Sequence, residues 1–262
     1  MDTKDWLREL VRIMARLREP GGCPWDREQT HATLKEYLSE ESAELFDAID
    51  DHDDPGMVEE LGDLLLQIVF HCQIASEEGR FSLDDAARVC CEKLIRRHPH
   101  VFGDSEVSTA EGVLRQWERI KKDEKSASRP SALSGVPRHL PALHRAQKMQ
   151  RKAARVGFDW PDADGVVAKI EEELGEVKAA LRSGRPEELA GEIGDLLFAV
   201  VNLSRFENHQ AEELLHRTVR KFERRFRRVE ALLAERGRTP EESSLEEMDT
   251  LWDQAKREEE PA

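Results

Sequence analysis

The sequence predicts an all-α protein built as two copies of one helical bundle joined by a linker, and three observations carry that reading. Charged residues make up 36% of the 262 residues, there is one tyrosine, and glycine and proline gather in a few clusters, a composition typical of long solvated helices. Apolar residues recur at helical spacing through both halves. The second half also repeats the first: residues 40–65 align without a gap onto 172–197, at an offset of 132, with nine identities, of which five are acids.

The N-terminal stretch 1–17 mixes charges through its apolar positions, as an amphipathic helix does. In the first copy Leu34, Leu38, Leu45 and Ile49 form one stripe, "DDHDDPG" (50–56) breaks it, and "LLLQIVF" (64–70) reads as a buried helix. A basic segment with Lys93, Arg96 and Arg97 follows, interrupted by His98, Pro99 and His100, and then "WERIKKDE" (117–124). The Ser- and Pro-rich stretch 126–142 lacks an apolar period and reads as a linker between domains 1–125 and 143–262. In the second copy "DADG" (162–165) offers an acidic first turn to a helix whose stripe is Val166, Val167, Ile170, Leu174, Val177 and Leu181. "SGRP" (183–186) ends that helix, and "LLFAVVNL" (196–203) is apolar all round, which predicts a helix buried on most faces. Lys221, Arg224 and Arg225 then match the first basic segment, and "WDQAKREE" (252–259) matches 117–124. Each copy is expected to hold two antiparallel helices joined by a short turn, completed by at least two more.

A formal charge of −15 argues against a sequence-independent grip on nucleic acid, which depends on basic side chains displacing counterions. No run of 18 apolar residues suggests a membrane span and the N-terminus does not resemble a signal peptide, so a cytoplasmic location is expected. Cys23, Cys72, Cys90 and Cys91 show no CxxC spacing and are read as buried free thiols.

The acids carry the chemistry. Glu173 and Glu176 lie on the same flank of the apolar stripe, and Glu192 and Asp195 are surface neighbours at the mouth of the next helix. Four acids converging between two helices would repel one another, and their burial would cost several kcal/mol unless a cation held them. The same number of residues separates Glu44 from Glu60 and Glu176 from Glu192, so the device is used twice. Hard oxygen donors suit Mg²⁺, with Mn²⁺ as a substitute. Gly62 and Gly194, lying between the paired acids, are expected to let the helices approach closely enough to share an ion.

The order EExxE, spacer, ExxD resembles the signature of the MazG-type all-α nucleoside triphosphate pyrophosphohydrolases, read here at Glu40, Glu41, Glu44, Glu60, Asp63 and again at Glu172, Glu173, Glu176, Glu192, Asp195. "GGCPWDREQTH" (21–31), "VGFDW" (156–160), "KFERRF" (221–226) and the two-copy layout extend the resemblance over nearly the whole chain. It implies a tandem repeat of four-helix-type bundles, assembled as a homodimer, that uses Mg²⁺ to cleave a nucleoside triphosphate between the α and β phosphates. It also implies metal ligands at Glu173, Glu176, Glu192 and Asp195, and at Glu41, Glu44, Glu60 and Asp63. Lys169, Lys221, Arg224 and Arg225 would meet the phosphates, and Trp252 would lie by the base or serve as packing. Glu172, with Glu40 in the first copy, is left over as a water-positioning acid. The denser basic cluster marks the second copy as the main catalytic one. Two alternatives stand beside it: a helical interaction module with a solvated acidic face, and a di-iron bundle using "EQTH" (28–31) and "ELLH" (213–216), whose ExxH motifs fall off the repeat register.

Overall fold

The structure, a computed structural model, describes residues 5–105, 107–125 and 131–259. Side chains at 114, 118 and 121–125 also fall outside the description, as do residues 126–130 of the expected linker. Among the described residues there are twelve α-helices and one short 3-10 turn, and no strand. The chain divides into two compact units, Met1–Lys125 and Ser126–Ala262.

The first unit contains α1 (Trp6–Arg18), α2 (Pro24–Glu28), α3 (Leu34–Asp50), α4 (Asp54–Glu77), α5 (Leu83–Arg97), α6 (Pro99–Phe102) and α7 (Ala110–Lys125). Helices α3 and α4 form the central antiparallel pair, α1 lies on α4, and α5 follows α4 after a tight turn. His52, in the left-handed conformation at φ 56°, carries the chain from α3 into α4. Helix α5 starts on a capping box, in which the Ser82 hydroxyl accepts from the Asp85 amide at 3.2 Å while the Asp85 carboxylate accepts from the Ser82 amide at 3.0 Å. Met14, Leu34, Val69, Phe70 and Ile74 make the core, with Tyr37 and Leu66 packed against them.

The second unit repeats the plan with α8 (Ala142–Ala154), α9 (Ala163–Ser183), α10 (Pro186–Phe206), α11 (Ala211–Ala234) and α12 (Leu245–Glu259). Asp162 caps α9 by accepting from the Gly165 amide at 3.1 Å, as the acidic first turn predicts. Gly184 ends α9 at φ 66°, and Pro186 opens α10. Two buried glutamines fasten α8 to its neighbours. Gln147 accepts from the Ala211 amide at 3.0 Å, and Gln150 donates to the Phe198 carbonyl at 2.8 Å. Residues 131–141 run in turns without helix, and Lys152 of α8 donates to the Ser134 carbonyl at 2.7 Å. Val229, Leu232, Leu233 and Leu251 pack α11 onto α12.

Three expectations need correcting. The apolar helices are not buried on most faces. In α10 only Ala199 and Val201 are buried, while Leu197, Phe198 and Val200 are 54%, 48% and 45% exposed, and in α4 Val58, Leu61 and Ile68 are also open. Each central pair is covered on one side only, so the unit leaves an apolar face that a single copy does not fill. The glycines do not mediate close helix approach either: a Cβ at Gly62 or Gly194 would meet nothing within 4 Å. Gly62 instead borders an open apolar groove between α1 and α4, lined by Trp6, Leu10, Ile13 and Leu65. Of the cysteines, Cys72 is buried and Cys23 half-buried, but Cys90 and Cys91 are exposed, because α5 is packed along only part of its surface.

The first copy's unmatched His31 makes a local polar chain. The Arg80 guanidinium donates to His31 Nε2, so the His31 proton sits on Nδ1, which donates to His71 Nδ1 at 2.8 Å. Burial, and then the neighbouring His31, hold His71 below the usual imidazole range. A depressed folded value contributes stability that is present above pH of about 6.5 and is lost as pH falls. Melting temperatures should therefore decline below that pH in the wild type, and more gently in His71→Asn. Core packing predicts a larger effect: Leu233→Ala, at a fully buried position, should cost about 3 kcal/mol in urea unfolding.

Candidate metal centre

The α9–α10 pair brings together Glu173, Glu176 and Glu192. One carboxylate oxygen from each lies within 4.8 Å of the others. The α3–α4 pair does the same with Glu41, Glu60 and Asp63. Spacing of three along α9 puts Glu173 and Glu176 on adjacent turns of one flank, and the antiparallel return of α10 presents Glu192 to them. Glu173 is the buried member, with 7% of its side chain exposed. Asp195 and Glu44 stand outside the two tight triads, and Asp195 is exposed. Glu40 and Glu172 are exposed beside their clusters.

Crowding is visible in the electrostatics. Burial, then the charges of Asp63, Glu44, Glu60 and Glu40, push Glu41 above the usual carboxylate range, and burial followed by Glu44 raises Glu60. In the second copy burial, then Glu173 and Glu192, raise Glu176. A cation already stands at that cluster: Lys169 Nζ is 2.8 Å from Glu173 and 2.9 Å from Glu172, and these contacts hold the ammonium well above its ordinary value. The donors are all carboxylate oxygens, with no thiolate or imidazole in either triad, a set that fits Mg²⁺ or Mn²⁺. A di-iron arrangement does not form: His31 is engaged with His71 and Arg80, and exposed His216 lies 4.0 Å from Glu212.

The other candidates gather on α11 and α12. The Arg224 and Arg225 guanidinium groups meet one carboxylate, Glu259, at 2.8 and 2.7 Å, and this holds Glu259 below its ordinary range. Lys221 is exposed on α11. Trp252 is half-buried against the α11–α12 core, its ring centroid 5.1 Å from that of Phe222 and 5.9 Å from the Arg225 guanidinium. The Arg-over-Trp contact recurs in the first unit, where Arg97 lies 5.9 Å from the Trp117 ring. Helix α11 packs chiefly on α12 and α8 and less on α10.

A feature that motif reading passed over is the exchange at the lysine position. Residue 37, aligned with Lys169, is a tyrosine, and its ring packs edge-on to Trp25 at 5.7 Å. The exchange lies three residues upstream of the gapless block, at the same offset of 132.

The profile of the MazG nucleotide pyrophosphohydrolase domain matches residues 29–102 and 163–229, one segment in each unit, and each segment contains one carboxylate triad. The chain belongs to the MazG family. This MazG-family chain is 51% identical, over 95% of its length, to a Thermotoga maritima protein named nucleoside triphosphate pyrophosphohydrolase/pyrophosphatase MazG, 94% of which is covered. It is 48% identical, again over 95% of its length, to the nucleoside triphosphate pyrophosphohydrolase of Escherichia coli K12, of which 97% is covered. A Bacillus subtilis protein, YabN, is 48% identical over 93% of the chain, and the match spans half of that longer protein. A two-copy unit of this kind can thus be part of a larger polypeptide.

Proposed function

We propose that the chain is a divalent-metal-dependent nucleoside triphosphate pyrophosphohydrolase, releasing a nucleoside monophosphate and pyrophosphate, with its main catalytic centre in the second unit. The observation that carries this reading is the pair of carboxylate triads, each drawn from two facing helices and each inside a segment matched by the family profile. Glu173, Glu176 and Glu192, with Asp195 one turn along α10, are the residues that would hold Mg²⁺, and Glu41, Glu60, Asp63 and Glu44 correspond to them. The ion, when bound, would neutralise charge on phosphate oxygens and lower the pKa of a water. Glu172, exposed beside the triad and paired with Lys169 at 2.9 Å, orients the attacking water by accepting its hydrogen bond once Lys169 turns to phosphate. Lys169 changes partner from Glu173 to a phosphate oxygen. Lys221, Arg224 and Arg225 bind the polyphosphate once Glu259 is displaced, since a carboxylate shared by two guanidinium groups occupies the geometry a phosphate would take. Trp252, anchored by Phe222 and Arg225, offers its exposed part to the base. A nucleoside triphosphate substrate favours a cytoplasmic site of action. No helix among the described residues is long and apolar enough to cross a membrane.

The open apolar faces favour a homodimer. Leu181, Leu197, Phe198 and Val200 are each about half exposed, apolar surface whose hydration is unfavourable, and a second copy of the same helix pair would cover them and complete a four-helix bundle. Such an assembly also offers a route by which α11 of one copy meets the acids of another.

Incubating the full chain with Mg²⁺ and each of the eight common triphosphates should release pyrophosphate. Orthophosphate alone, or no product, would defeat the reading. Mg²⁺ should also raise the melting temperature, because a ligand that binds only the folded state stabilises it. The quadruple change Glu60→Ala, Asp63→Ala, Glu192→Ala and Asp195→Ala should remove that gain. Phe198→Asp, at a half-exposed position, should shift the mass measured by light scattering from dimer to monomer while the circular dichroism stays helical.

A further inference from the structure

The two triads face different local charges. In the second unit the Lys169 ammonium bridges Glu173 and Glu172 at 2.8 and 2.9 Å, and Glu173 is the buried member of the triad. In the first unit the aligned residue is Tyr37, which brings no charge and packs against Trp25 and the α1–α4 core. Among the described residues no ion pair reaches Glu41, Glu60 or Asp63. One triad therefore carries its own cation, and among the described residues the other does not.

We propose that Lys169 is a resident counter-ion that makes divalent-metal entry at the second triad conditional on an arriving polyphosphate, whereas the first triad takes a divalent ion without nucleotide. This rests on the reading that both triads are metal sites. Two physical effects oppose an ion at the second triad when no nucleotide is present. The ammonium engages Glu173, so one of three ligands must be withdrawn from an ion pair before it can turn to a metal. The same ammonium then sits one carboxylate away from a second positive charge, where repulsion is strong at short range. A polyphosphate removes both obstacles, because it gives the lysine a new anionic partner and adds negative charge beside the ion. Lysine suits the exchange, since its charge is compact and its stem flexible. Thermodynamic linkage makes the effect mutual: nucleotide tightens metal at the second triad, and metal tightens nucleotide there by the same factor. At the first triad Tyr37 provides no such exchange. Lys169 thus holds Glu173 until the polyphosphate arrives and then binds it, and the duplicated sites divide into a standing metal site and a substrate-gated one.

The test uses Mn²⁺ as the probe and the full chain, stripped with chelator, with free Mn²⁺ followed by electron paramagnetic resonance. Glu60→Gln with Asp63→Asn leaves only the second triad intact, and Glu192→Gln with Asp195→Asn leaves only the first. Without nucleotide, the second-triad protein should bind Mn²⁺ roughly tenfold more weakly than the first-triad protein, the size expected from two partly exposed ion pairs. Adding Lys169→Met to the second-triad protein should recover that factor, while Lys169→Arg, which keeps the charge, should not. Melting curves establish that each variant is folded. Equal affinities at the two triads, or tightening by Met and Arg alike, would overturn the counter-ion role and leave the metal reading standing. No binding at either triad at millimolar Mn²⁺ would overturn the metal reading itself.

Discussion

Partly buried carboxylates need positive charge beside them, and much of this structure follows from how that need is met. A carboxylate that loses water loses several kcal/mol of solvation unless a cation or hydrogen bonds replace it. The chain draws three such groups together from facing helices in each unit, which leaves Glu41, Glu60 and Glu176 reluctant to ionise. The helix pairs themselves do not require this arrangement, since the apolar cores lie elsewhere, around Met14 and Phe70 in one unit and Val229 and Leu233 in the other. Acids that burden the fold without supporting its core are there for something that binds them.

The same economy explains how a strongly acidic chain can receive a polyanion. Several of its cations are already committed to carboxylates: Lys169 to Glu173, Arg224 and Arg225 to Glu259, Arg228 to Glu258 at 2.7 Å. Binding a phosphate at such a place is an exchange of anions, in which the incoming group replaces a carboxylate that was holding the basic side chains in a usable orientation. The orientation is paid for in the folded state, before any ligand arrives. The displaced Glu259 lies near the end of α12, where a side chain can return to water at little cost.

Much of this was legible in the sequence, and the reasons are local. Helix boundaries followed from residues whose backbone chemistry is decisive, as at Asp162, Gly184 and Pro186. The acid clusters followed from a repeat that preserved their spacing through an otherwise diverging duplication. What escaped were features set by neighbours. An apolar run such as "LLFAVVNL" specifies that its faces want covering, but not whether the cover comes from the same chain, so Leu197 and Phe198 read as buried and stand open. Gly62 and Gly194 looked like contact points because they lie between acids, yet along a helix their side faces away from the partner. Cys90 and Cys91 were assigned by residue type, which carries no information about how much of α5 is packed.

Duplication followed by divergence gives the comparison of the two units its force. Both keep the helix pair, a carboxylate triad that shares Glu41/Glu173 and Glu60/Glu192 and differs in its third member (Asp63 in one, Glu176 in the other), and an arginine over a tryptophan at the same 5.9 Å. They differ where the first unit's basic helix α5 ends at Arg97, ahead of Pro99, while α11 runs on through Arg227 and Arg228 to Ala234, and where Tyr37 stands at the position of Lys169. Each difference removes positive charge from the first unit. Among the described residues no ion pair reaches Glu41, Glu60 or Asp63, and a small, hard, doubly charged ion would be a compact way to satisfy them. The second unit retains enough positive charge to rest without such an ion, and for that reason its triad can respond to what approaches it.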